Sequence, residues 1–351
     1  KEIQVVVSNA AGNEVKRASA IIDEYAYARA VIKFEALPAG DYQVRLDCND
    51  AAGKVIASVD SEFSKINPAK QYEWWHTKRG NIEKVISPWT PVTFRGSTFG
   101  VWGRKMTAGP GGLPAQISTQ GREILAAPGR LVLTTDEGRD ITASGPRRKV
   151  LFDQDYRKTV QVRSTLGDVE VDSEVRVEFD GMYKVTMTLS PSRPTNVKGL
   201  RMVLPLNEDM AEYIHAVTAE IRSGFYYGFT PEGEGRVWDC TLLGDKSMQL
   251  GSFTPYVWLG STDGGLCWFA DSDEGWTPND ETPAIEIRRD RDGQIDLVLN
   301  LISAEETLDR PRTIVFGLQA SPVKPMHQGW REDNWWCGDT FKQYAHDRNL
   351  I

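Results

Sequence analysis

The sequence of 351 residues is long enough for two or three domains, each with its own hydrophobic core. Hydrophobic residues make up 40% of the chain and charged residues 26%, a balance typical of globular proteins that argues against a disordered chain. The formal net charge of −8 argues against nucleic acid as a partner, because nucleic-acid-binding proteins usually carry a basic patch.

Sequence features of membrane, secreted and zinc proteins are also missing. No run approaches the ~18 apolar residues that cross a bilayer, so we expect no membrane insertion. The first residues already alternate as in a strand, so we expect no secretory signal. Cys48, Cys240, Cys267 and Cys337 are widely separated and form no CxxC pair. This spacing predicts buried thiols without a zinc site, and no cofactor is expected.

Residues 1–65 are predicted to form an immunoglobulin-like or fibronectin-like β-sandwich. A turn at residues 38–40 precedes a strand that carries Tyr42, Val44 and Leu46 on one face, and a second turn leads into another apolar strand. Such strands at short spacing favour a small antiparallel module.

Residues 66–87 form a predicted polar connector that carries Trp74, Trp75 and His76. Adjacent tryptophans place their rings on opposite sides of a strand, or about 100° apart on a helix, so one ring can pack while the other is exposed. The pair is either a plug at the joint between domains or a ligand contact. The segment SKINPAKQYEWW, residues 64–75, also fits a short helix.

Residues 88–320 are predicted to form a large antiparallel β-sandwich, similar to a supersandwich, because strand follows strand over a span too long for one small sandwich. Asp180-Gly181 and Asp292-Gly293 each separate two runs of alternating apolar residues, a strong hairpin signal whose tight turn needs φ > 0 at both positions. Residues 312–319 predict a further strand. The chain as a whole is therefore predicted to be all-β.

Four shorter features are less regular. Residues 109–114, GPGGLP, lack the GK[ST] end of a phosphate loop and are predicted to be a flexible turn. Residues 207–216 and 338–348 each fit a short helix. His215 belongs to no recognisable catalytic or metal spacing, so we expect a structural histidine.

The stretch YVWLGSTDGGLCWFADSDEGW, residues 256–276, combines aromatic strands with an acidic loop. Two apolar runs predict a strand pair that turns through residues 263–265, with both faces covered. Trp258 and Trp268 share strand parity and are predicted to stack across the pair. Their rings fit either a packed core or a platform on which sugar rings stack.

The acidic loop after this pair carries Asp271, Asp273, Glu274 and Trp276. A carboxylate pair can cleave a glycosidic bond, and Asp271 with Asp273 can bind calcium, although Gly275 stands where an EF-hand needs its third ligand. The third alternative is a solvated loop with Trp276 packed beneath it. Loops at the rim of a rigid sheet often carry function, so these residues are candidates.

Residues 321–351 form an aromatic C-terminal segment after the last predicted strand. Two prolines mark its exit from the sheet, and Trp330, Trp335 and Trp336 follow. Exposed indole rings favour a partner surface. We therefore expect a docking segment that leads towards a further domain.

Five segments occur in this order: NIEKVISPWTPV, FGVWGR, LPAQISTQGREILAAP, VWLGSTDGGLCWFADSDEGW and FGLQASPVKP. Together they resemble the N-terminal region of bacterial proteins similar to glycoside hydrolase family 123. The resemblance extends over about residues 70–330, and an ordered series is more specific than any single motif.

This resemblance implies a β-sandwich region followed by a (β/α)₈ barrel that cleaves terminal β-linked N-acetylgalactosamine with help from the substrate's acetamido group. The catalytic Asp-Glu pair of the family belongs to the barrel, which we expect to lie outside this sequence, so no catalytic residue is assigned. The implied partners are that barrel and, through the parent enzyme, a glycan. The implied location is secreted or periplasmic.

The sequence thus leaves three functional hypotheses. The first is a non-catalytic region of a glycan-degrading enzyme, the second a stand-alone carbohydrate-binding module, and the third a β-sandwich enzyme that uses the acidic loop. The candidate ligand-binding residues are Trp74, Trp75, Asp271, Asp273, Glu274 and Trp276.

Overall fold

A computed structural model describes residues 2–22, 30, 32, 34, 36–75, 77–78, 80, 82–217, 225–240, 253–277 and 282–325. Most of these residues lie in strands, and the strands pair antiparallel, which confirms the predicted all-β class. The chain divides into two compact units, Lys1–Ile82 and Glu83–Ile351. That division falls within the predicted connector of residues 66–87. The bounds of the four predicted segments, 1–65, 66–87, 88–320 and 321–351, stay a prediction.

The first unit contains β1 (Glu2–Asn9), β2 (Glu14–Ile21), β3 (Gly40–Asn49), β4 (Val55–Lys65) and the short helix α1 (Pro68–Gln71). The strands form one sheet in the order β2-β1-β3-β4. Tyr42 is buried on it, stacks on Phe63 at 5.2 Å and donates a 2.7 Å hydrogen bond to the carbonyl oxygen of Pro38. The described residues here make a single sheet, so the immunoglobulin-like sandwich stays a prediction.

The predicted helix of residues 64–75 is confirmed in part by α1. Pro68 occupies its first turn, where a missing backbone N–H costs nothing. Tyr72 is already extended, so the helix ends after one turn.

The second unit is built of strands linked by tight turns. They are β5 (Thr93–Arg95), β6 (Thr98–Val101), β7 (Arg104–Ala108), β8 (Pro114–Thr119), β9 (Arg122–Glu123), β10 (Arg130–Thr135), β11 (Asp140–Thr142), β12 (Ser144–Gln154), β13 (Arg157–Leu166), β14 (Val169–Glu178) and β15 (Tyr183–Pro191). They continue with β16 (Thr195–Leu206), β17 (Tyr213–Val217), β18 (Phe225–Phe229), β19 (Gly235–Asp239), β20 (Tyr256–Gly260), β21 (Gly265–Phe269), β22 (Ile285–Arg289), β23 (Ile295–Ile302), β24 (Glu306–Leu308) and β25 (Arg312–Ser321). Short 3₁₀ turns lie at Pro110–Gly112 and Glu208–Met210.

These strands form three sheets. The nine-stranded sheet has the order β12-β13-β14-β15-β25-β21-β20-β17-β18. The seven-stranded sheet has the order β11-β10-β16-β23-β22-β19, with β24 beside β16, and the five-stranded sheet has the order β5-β6-β7-β8-β9. Buried side chains of all three sheets belong to one hydrophobic core. The arrangement is sandwich-like, as the length of the second predicted domain indicated.

Alternation along the strands explains which face is buried. In β14, every second residue from Val169 to Val177, including Ser173, is almost fully buried, while the alternate residues are more exposed. The neighbouring strand β15 alternates in the same way. Because side chains of successive residues point to opposite faces, one face of each strand joins the core and the other faces outward.

The two predicted hairpins are confirmed, but their turn type is not. Gly181 and Gly293 have φ of 84° and 86°, whereas among the described residues other than glycine only Gln120 has a positive φ, so Asp180 and Asp292 do not. In each loop the glycine alone takes the left-handed conformation, as in a hairpin with a glycine bulge. The Asp180 carboxylate instead accepts a hydrogen bond from the N–H of Met182.

The prediction of a flexible turn at residues 109–114 is wrong. Gly111 and Gly112 are buried, with φ of 65° and 73°, and lie inside the core. A Cβ added at Gly111 would lie 3.6 Å from Leu131 on the seven-stranded sheet and 3.8 Å from Val171 on the nine-stranded sheet. The segment therefore joins β7 to β8 of the five-stranded sheet and packs against the other two sheets, which its loop-like composition does not reveal.

The predicted helix at residues 207–216 is also wrong beyond its first turn. A 3₁₀ turn at Glu208–Met210 is followed directly by β17, in which Ile214 and Ala216 are buried. Burial with period two is typical of a strand. The strand forms because β17 pairs with β18 and β20, a tertiary contact that the local sequence does not show. The predicted helix at residues 338–348 lies outside the described residues, as do His76, Cys337 and residues 326–351 of the aromatic tail.

Candidate functional site

The predicted strand pair of residues 256–269 is confirmed as β20 and β21. Val257 pairs with Trp268, and Trp258 pairs with Cys267. Directly paired residues share a face, so Trp258 and Trp268 point to opposite faces and the predicted stacking is wrong. In this register each even-numbered residue of β20 pairs with an odd-numbered residue of β21. Two even-numbered residues therefore lie on opposite faces, and the sequence alone does not give the register.

The two tryptophans therefore have different environments. Trp268 is fully buried in the core. Trp258 is half-buried on the outer face, where its Nε1 donates a 3.1 Å hydrogen bond to the hydroxyl of Ser321. The core alternative holds for Trp268, whereas Trp258 belongs to the outer surface of the nine-stranded sheet.

The acidic loop after β21 exposes its carboxylates and buries its tryptophan. Asp271, Asp273 and Glu274 are exposed, whereas the Trp276 ring is 7% exposed. That ring packs 5.9 Å from the ring of Trp268. Among the described residues, no three or more His, Cys, Asp or Glu side chains are placed together to hold a metal ion. The ligand-binding roles of these residues stay predictions.

Trp74 and Trp75 follow α1 in the first unit. Their side chains are 57% and 39% exposed, and their ring centroids lie 5.4 Å apart. Trp74 also stacks on Tyr72 at 5.2 Å. Because both indole rings are exposed, the two alternatives, a plug at the joint between domains and a ligand contact, both stay predictions. They belong to a different compact unit from the acidic loop.

Sequence reasoning missed a cluster of rings on the outer face of the nine-stranded sheet. Tyr213 pairs with Phe229, and His215 pairs with Tyr227 on one side and Trp258 on the other. Because paired residues share a face, these rings project from the same surface. We call the aromatic face the set Tyr213, His215, Tyr227, Phe229, Tyr256 and Trp258. The alternation of aromatic residues in residues 213–215 and 227–229 was the signal that could have revealed it.

The aromatic face combines packed and exposed rings. The rings of Tyr213 and Phe229 lie 5.0 Å apart, and those of His215 and Tyr256 lie 5.7 Å apart at 68°. Tyr227 and Phe229 are 71% and 69% exposed, which is unusual for large rings on a sheet. His215 thus contacts the Tyr256 ring, and its predicted structural role stays a prediction.

The inner part of the aromatic face is desolvated. Burial, and then the neighbouring Cys267, raise the pKa of the Tyr256 hydroxyl. Burial likewise raises the pKa of the Cys267 thiol to about 12. Both groups are therefore neutral near neutral pH, and neither is an activated nucleophile.

A polar cleft of about 720 Å³ adjoins the aromatic face, and Phe229 lines both. We call it the Arg122 cleft. Arg122 makes ion pairs of 2.6 Å with Asp209 and 2.9 Å with Asp263. Arg289 makes a 3.0 Å ion pair with Glu208 on the same wall. These ion pairs connect β9 and β22 to the turns before β17 and after β20.

The Arg122 cleft is acidic overall. Its lining includes two guanidinium groups and five carboxylates, a formal charge of −3. The carboxylates are Glu208, Asp209, Glu212, Glu232 and Asp263. Sequence analysis had assigned none of them, because they come from turns that are separated by up to 55 residues in the chain.

A second groove, of about 1110 Å³, runs along the five-stranded sheet. Its walls are mostly small polar side chains, such as Thr93, Thr107, Gln116 and Ser118. No aromatic side chain is among the described residues that line it. It therefore offers hydrogen bonds without a ring for stacking.

Among the described residues, no helix is long and apolar enough to span a membrane.

The fold and these surfaces define a protein of the β-sandwich class with a large antiparallel core. The family model of the glycoside hydrolase 123 third domain matches residues 92–273, which is more than half of the chain. The chain therefore belongs to the glycoside hydrolase 123 third-domain family. This confirms the resemblance drawn from the ordered motifs. No curated protein matches the sequence.

Solved structures resemble this chain only remotely. Heparan sulfate lyase HepC from Pedobacter heparinus is 10% identical, with a TM-score of 0.38, over 72% of this chain and 39% of the lyase. A GalM/aldose epimerase homologue from C. elegans is 9% identical, with a TM-score of 0.36, over 67% of this chain and 99% of the homologue. A copper-containing benzylamine oxidase from Hansenula polymorpha is 8% identical, with a TM-score of 0.36, over 81% of this chain and 75% of the oxidase. This chain thus spans about 40% of the lyase.

Proposed function

We propose that this chain is a non-catalytic β-sandwich region of a glycan-degrading enzyme and that it supports a catalytic barrel carried elsewhere in the parent polypeptide. The family match over residues 92–273 carries this proposal. The barrel itself, and its action on terminal β-linked N-acetylgalactosamine, follow from the family resemblance.

The described carboxylates support a non-catalytic role. Glycoside cleavage needs one protonated carboxyl and one carboxylate that face the same bond. In the Arg122 cleft, Asp209 and Asp263 both pair with Arg122, and Glu208 pairs with Arg289. Arginine side chains of the cleft hold these three carboxylates, so they are poor candidates for a catalytic pair.

The stiffness of the sandwich supports a bracing role. Its core extends through three sheets and includes the buried connection at residues 109–114. A closely packed interior transmits force with little deformation, which suits a domain that holds another one in place.

Hydrolysis by the purified chain tests the proposal. With an aryl β-N-acetylgalactosaminide as substrate, we expect no release of the aryl alcohol above that of a heat-denatured sample, while a known hexosaminidase shows that the substrate is competent. Turnover that is lost on denaturation would contradict the proposal. The reading frame beyond Ile351 gives a second test, since a continuation of barrel length is expected.

A second candidate is a β-sandwich enzyme, favoured by the carboxylates and open mouth of the Arg122 cleft. Glu212 and Glu232 line that cleft, and among the described residues neither makes an ion pair with Arg122 or Arg289, so they are the residues to test. If turnover is found, Glu212→Gln and Glu232→Gln should abolish it. Turnover that survives both substitutions would exclude this cleft as the active site.

We also propose that the parent enzyme is secreted or periplasmic, because large glycans do not cross membranes unaided. Fractionation of the native host with an antibody against this chain tests the location. Recovery of the protein in the cytoplasm alone would contradict it.

A further inference from the structure

We infer that the aromatic face and the adjoining Arg122 cleft form a binding site for a neutral oligosaccharide, with sugar rings stacked on Tyr227 and Phe229. This inference rests on the proposed function for the class of ligand. It adds a site on this chain that is separate from any catalytic barrel.

The first support is the exposure of two neighbouring rings. Tyr227 and Phe229 lie two residues apart on β18 and are 71% and 69% exposed. Residues at this spacing project from the same face about 7 Å apart. Two adjacent sugar rings of one chain can therefore each contact a ring. Large rings that are exposed side by side are typical of surfaces that bind a partner.

The second support is that the underlying face is preorganised. Phe229 contacts Tyr213 on the paired strand, and His215, which pairs with Tyr227, contacts the Tyr256 ring. The strands β17 and β20 continue into the packed sheet, so the platform does not need to be ordered on binding. Little conformational entropy is then lost when a ligand docks.

The third support is the mixture of apolar and polar groups. A sugar ring has a C–H face and a rim of hydroxyl groups, so it needs ring faces beside hydrogen-bonding groups. Tyr213, His215 and Tyr227 supply rings with polar tips. The Arg122 cleft, which shares Phe229, supplies carboxylate acceptors and guanidinium donors next to them.

Charge selects a neutral ligand. The Arg122 cleft has a formal charge of −3, and the whole chain one of −8. Its two guanidinium groups already pair with carboxylates of the cleft. A sulfated or uronic-acid glycan would meet like charge without a spare cation, whereas a neutral oligosaccharide avoids that repulsion.

Calorimetric titration of the whole chain tests the inference. The probe is the neutral trisaccharide N-acetylgalactosaminyl-galactosyl-glucose with β linkages, and its sialylated form is the matched acidic probe. We expect saturable binding of the neutral probe and binding of the sialylated probe that is weaker by roughly three- to tenfold.

Substitutions locate the site. Tyr227→Ala and Phe229→Ala should each weaken binding of the neutral probe by roughly three- to tenfold, and Phe229→Tyr should restore it because the ring remains. Leu151→Ala is the matched control, since Leu151 is 47% exposed on β12, at the opposite edge of the same sheet. It should leave binding unchanged. All three positions are exposed, and circular dichroism checks that the four variants fold.

Three results would overturn the inference: no heat with the neutral probe at millimolar concentration, equal binding by the two alanine variants and the wild type, or self-association that Tyr227→Ala abolishes, which would mean that a second copy covers this face. Hydrolysis of the aryl substrate by this chain would instead contradict the proposed function. The two failures are therefore distinguishable.

Discussion

The Tyr183 hydroxyl donates a 2.8 Å hydrogen bond to the carbonyl oxygen of Gly112, inside the core of the large sandwich. Ser173 donates to the carbonyl oxygen of Gly111, and the N–H of Gly111 donates to the Ser164 hydroxyl. An irregular segment can lie in an apolar core only when its backbone groups find such partners. Side chains of three neighbouring strands therefore hold the glycine segment in place.

Gly112→Ala is expected to destabilise the second unit by about 3 kcal/mol. A Cβ at Gly112 would lie 2.8 Å from the Cβ of Ser173, and its φ of 73° is unfavourable for alanine. Gly145→Ala is the matched control, because its φ is 64° but nothing lies within 4 Å of the added Cβ. We expect it to cost about 1 kcal/mol. Urea unfolding measures both, and equal losses would contradict the close approach at Gly112.

Arg104→Met is expected to cost about 3 kcal/mol and to lower Tm by about 6–12 °C. Arg104 is buried and donates hydrogen bonds to the carbonyl oxygens of Asp180 and Ala320, at 2.7 and 3.3 Å, and of Val323. Burial lowers its pKa to about 10, so it stays charged at neutral pH. The substitution leaves buried carbonyl groups without their donor.

The matched control is Arg163→Met on the outer face of β13. Arg163 is 57% exposed and pairs with Asp172 at 3.0 Å. Exposed ion pairs contribute little, so calorimetry should show a Tm change below about 2 °C. A similar loss in the two variants would show that burial of Arg104 is not the cause.

Cys240 and Cys267 are expected to resist thiol reagents until the protein unfolds. Burial raises their pKa to about 11 and about 12, so at pH 8 roughly one thiol in a thousand or fewer is ionised. In a Cys48→Ser, Cys337→Ser variant, we expect labelling by Ellman's reagent to be at least ~100-fold slower in buffer than in denaturant. Rapid labelling of two thiols in the native protein at pH 8 would contradict this.

Asp296→Asn is expected to raise Tm at neutral pH by about 1–2 °C. Burial raises the pKa of Asp296 above its ordinary value, against the opposing effect of its hydrogen bond with Gln294. The folded state therefore holds the proton more tightly, and stability is lost as pH rises from about 4 through the folded pKa. Asparagine keeps the acceptor for Gln294 without the charge. Near pH 3 the Asp296 carboxyl is itself protonated and uncharged, so the gain in Tm should disappear there.

Asp140→Asn is the control of opposite sign. Hydrogen bonds from Arg201 and Thr134 lower the pKa of Asp140, so its contribution to stability is present at neutral pH and is lost as pH falls through the folded pKa. This variant should therefore have a lower Tm than the wild type at pH 7 and an equal one in acid. Thermal melts at several pH values measure both variants. The same sign for both at pH 7 would contradict the assigned causes.

Local pattern was sufficient for much of the fold. The alternating runs on either side of residues 180–181 and 292–293 predicted hairpins that the structure contains. The order of five short motifs predicted the family that the match over residues 92–273 shows. The hairpins depend on neighbours in the chain, and the family shows in the order of the motifs, so the sequence carries both directly.

Local pattern was insufficient for the faces on which side chains lie. The residues around Trp258 and Trp268 do not specify the register of β20 and β21. A shift of one residue in that register would move every side chain of one strand to the other face of the sheet. The aromatic face likewise exists only because β17 lies between β18 and β20.

By itself, then, the sequence determined the all-β class and the hairpins, because alternation and turn residues act over a few positions, and the order of its motifs determined the family. Only the tertiary structure decided that residues 109–114 are buried, that Trp276 packs inward, and that Tyr227 and Phe229 face solvent beside an acidic cleft. The physical reason is that burial depends on which strands pair, and β25 shows how distant those partners can be. It lies between β15 and β21, and its pairing with β15 joins Val185 to Phe316.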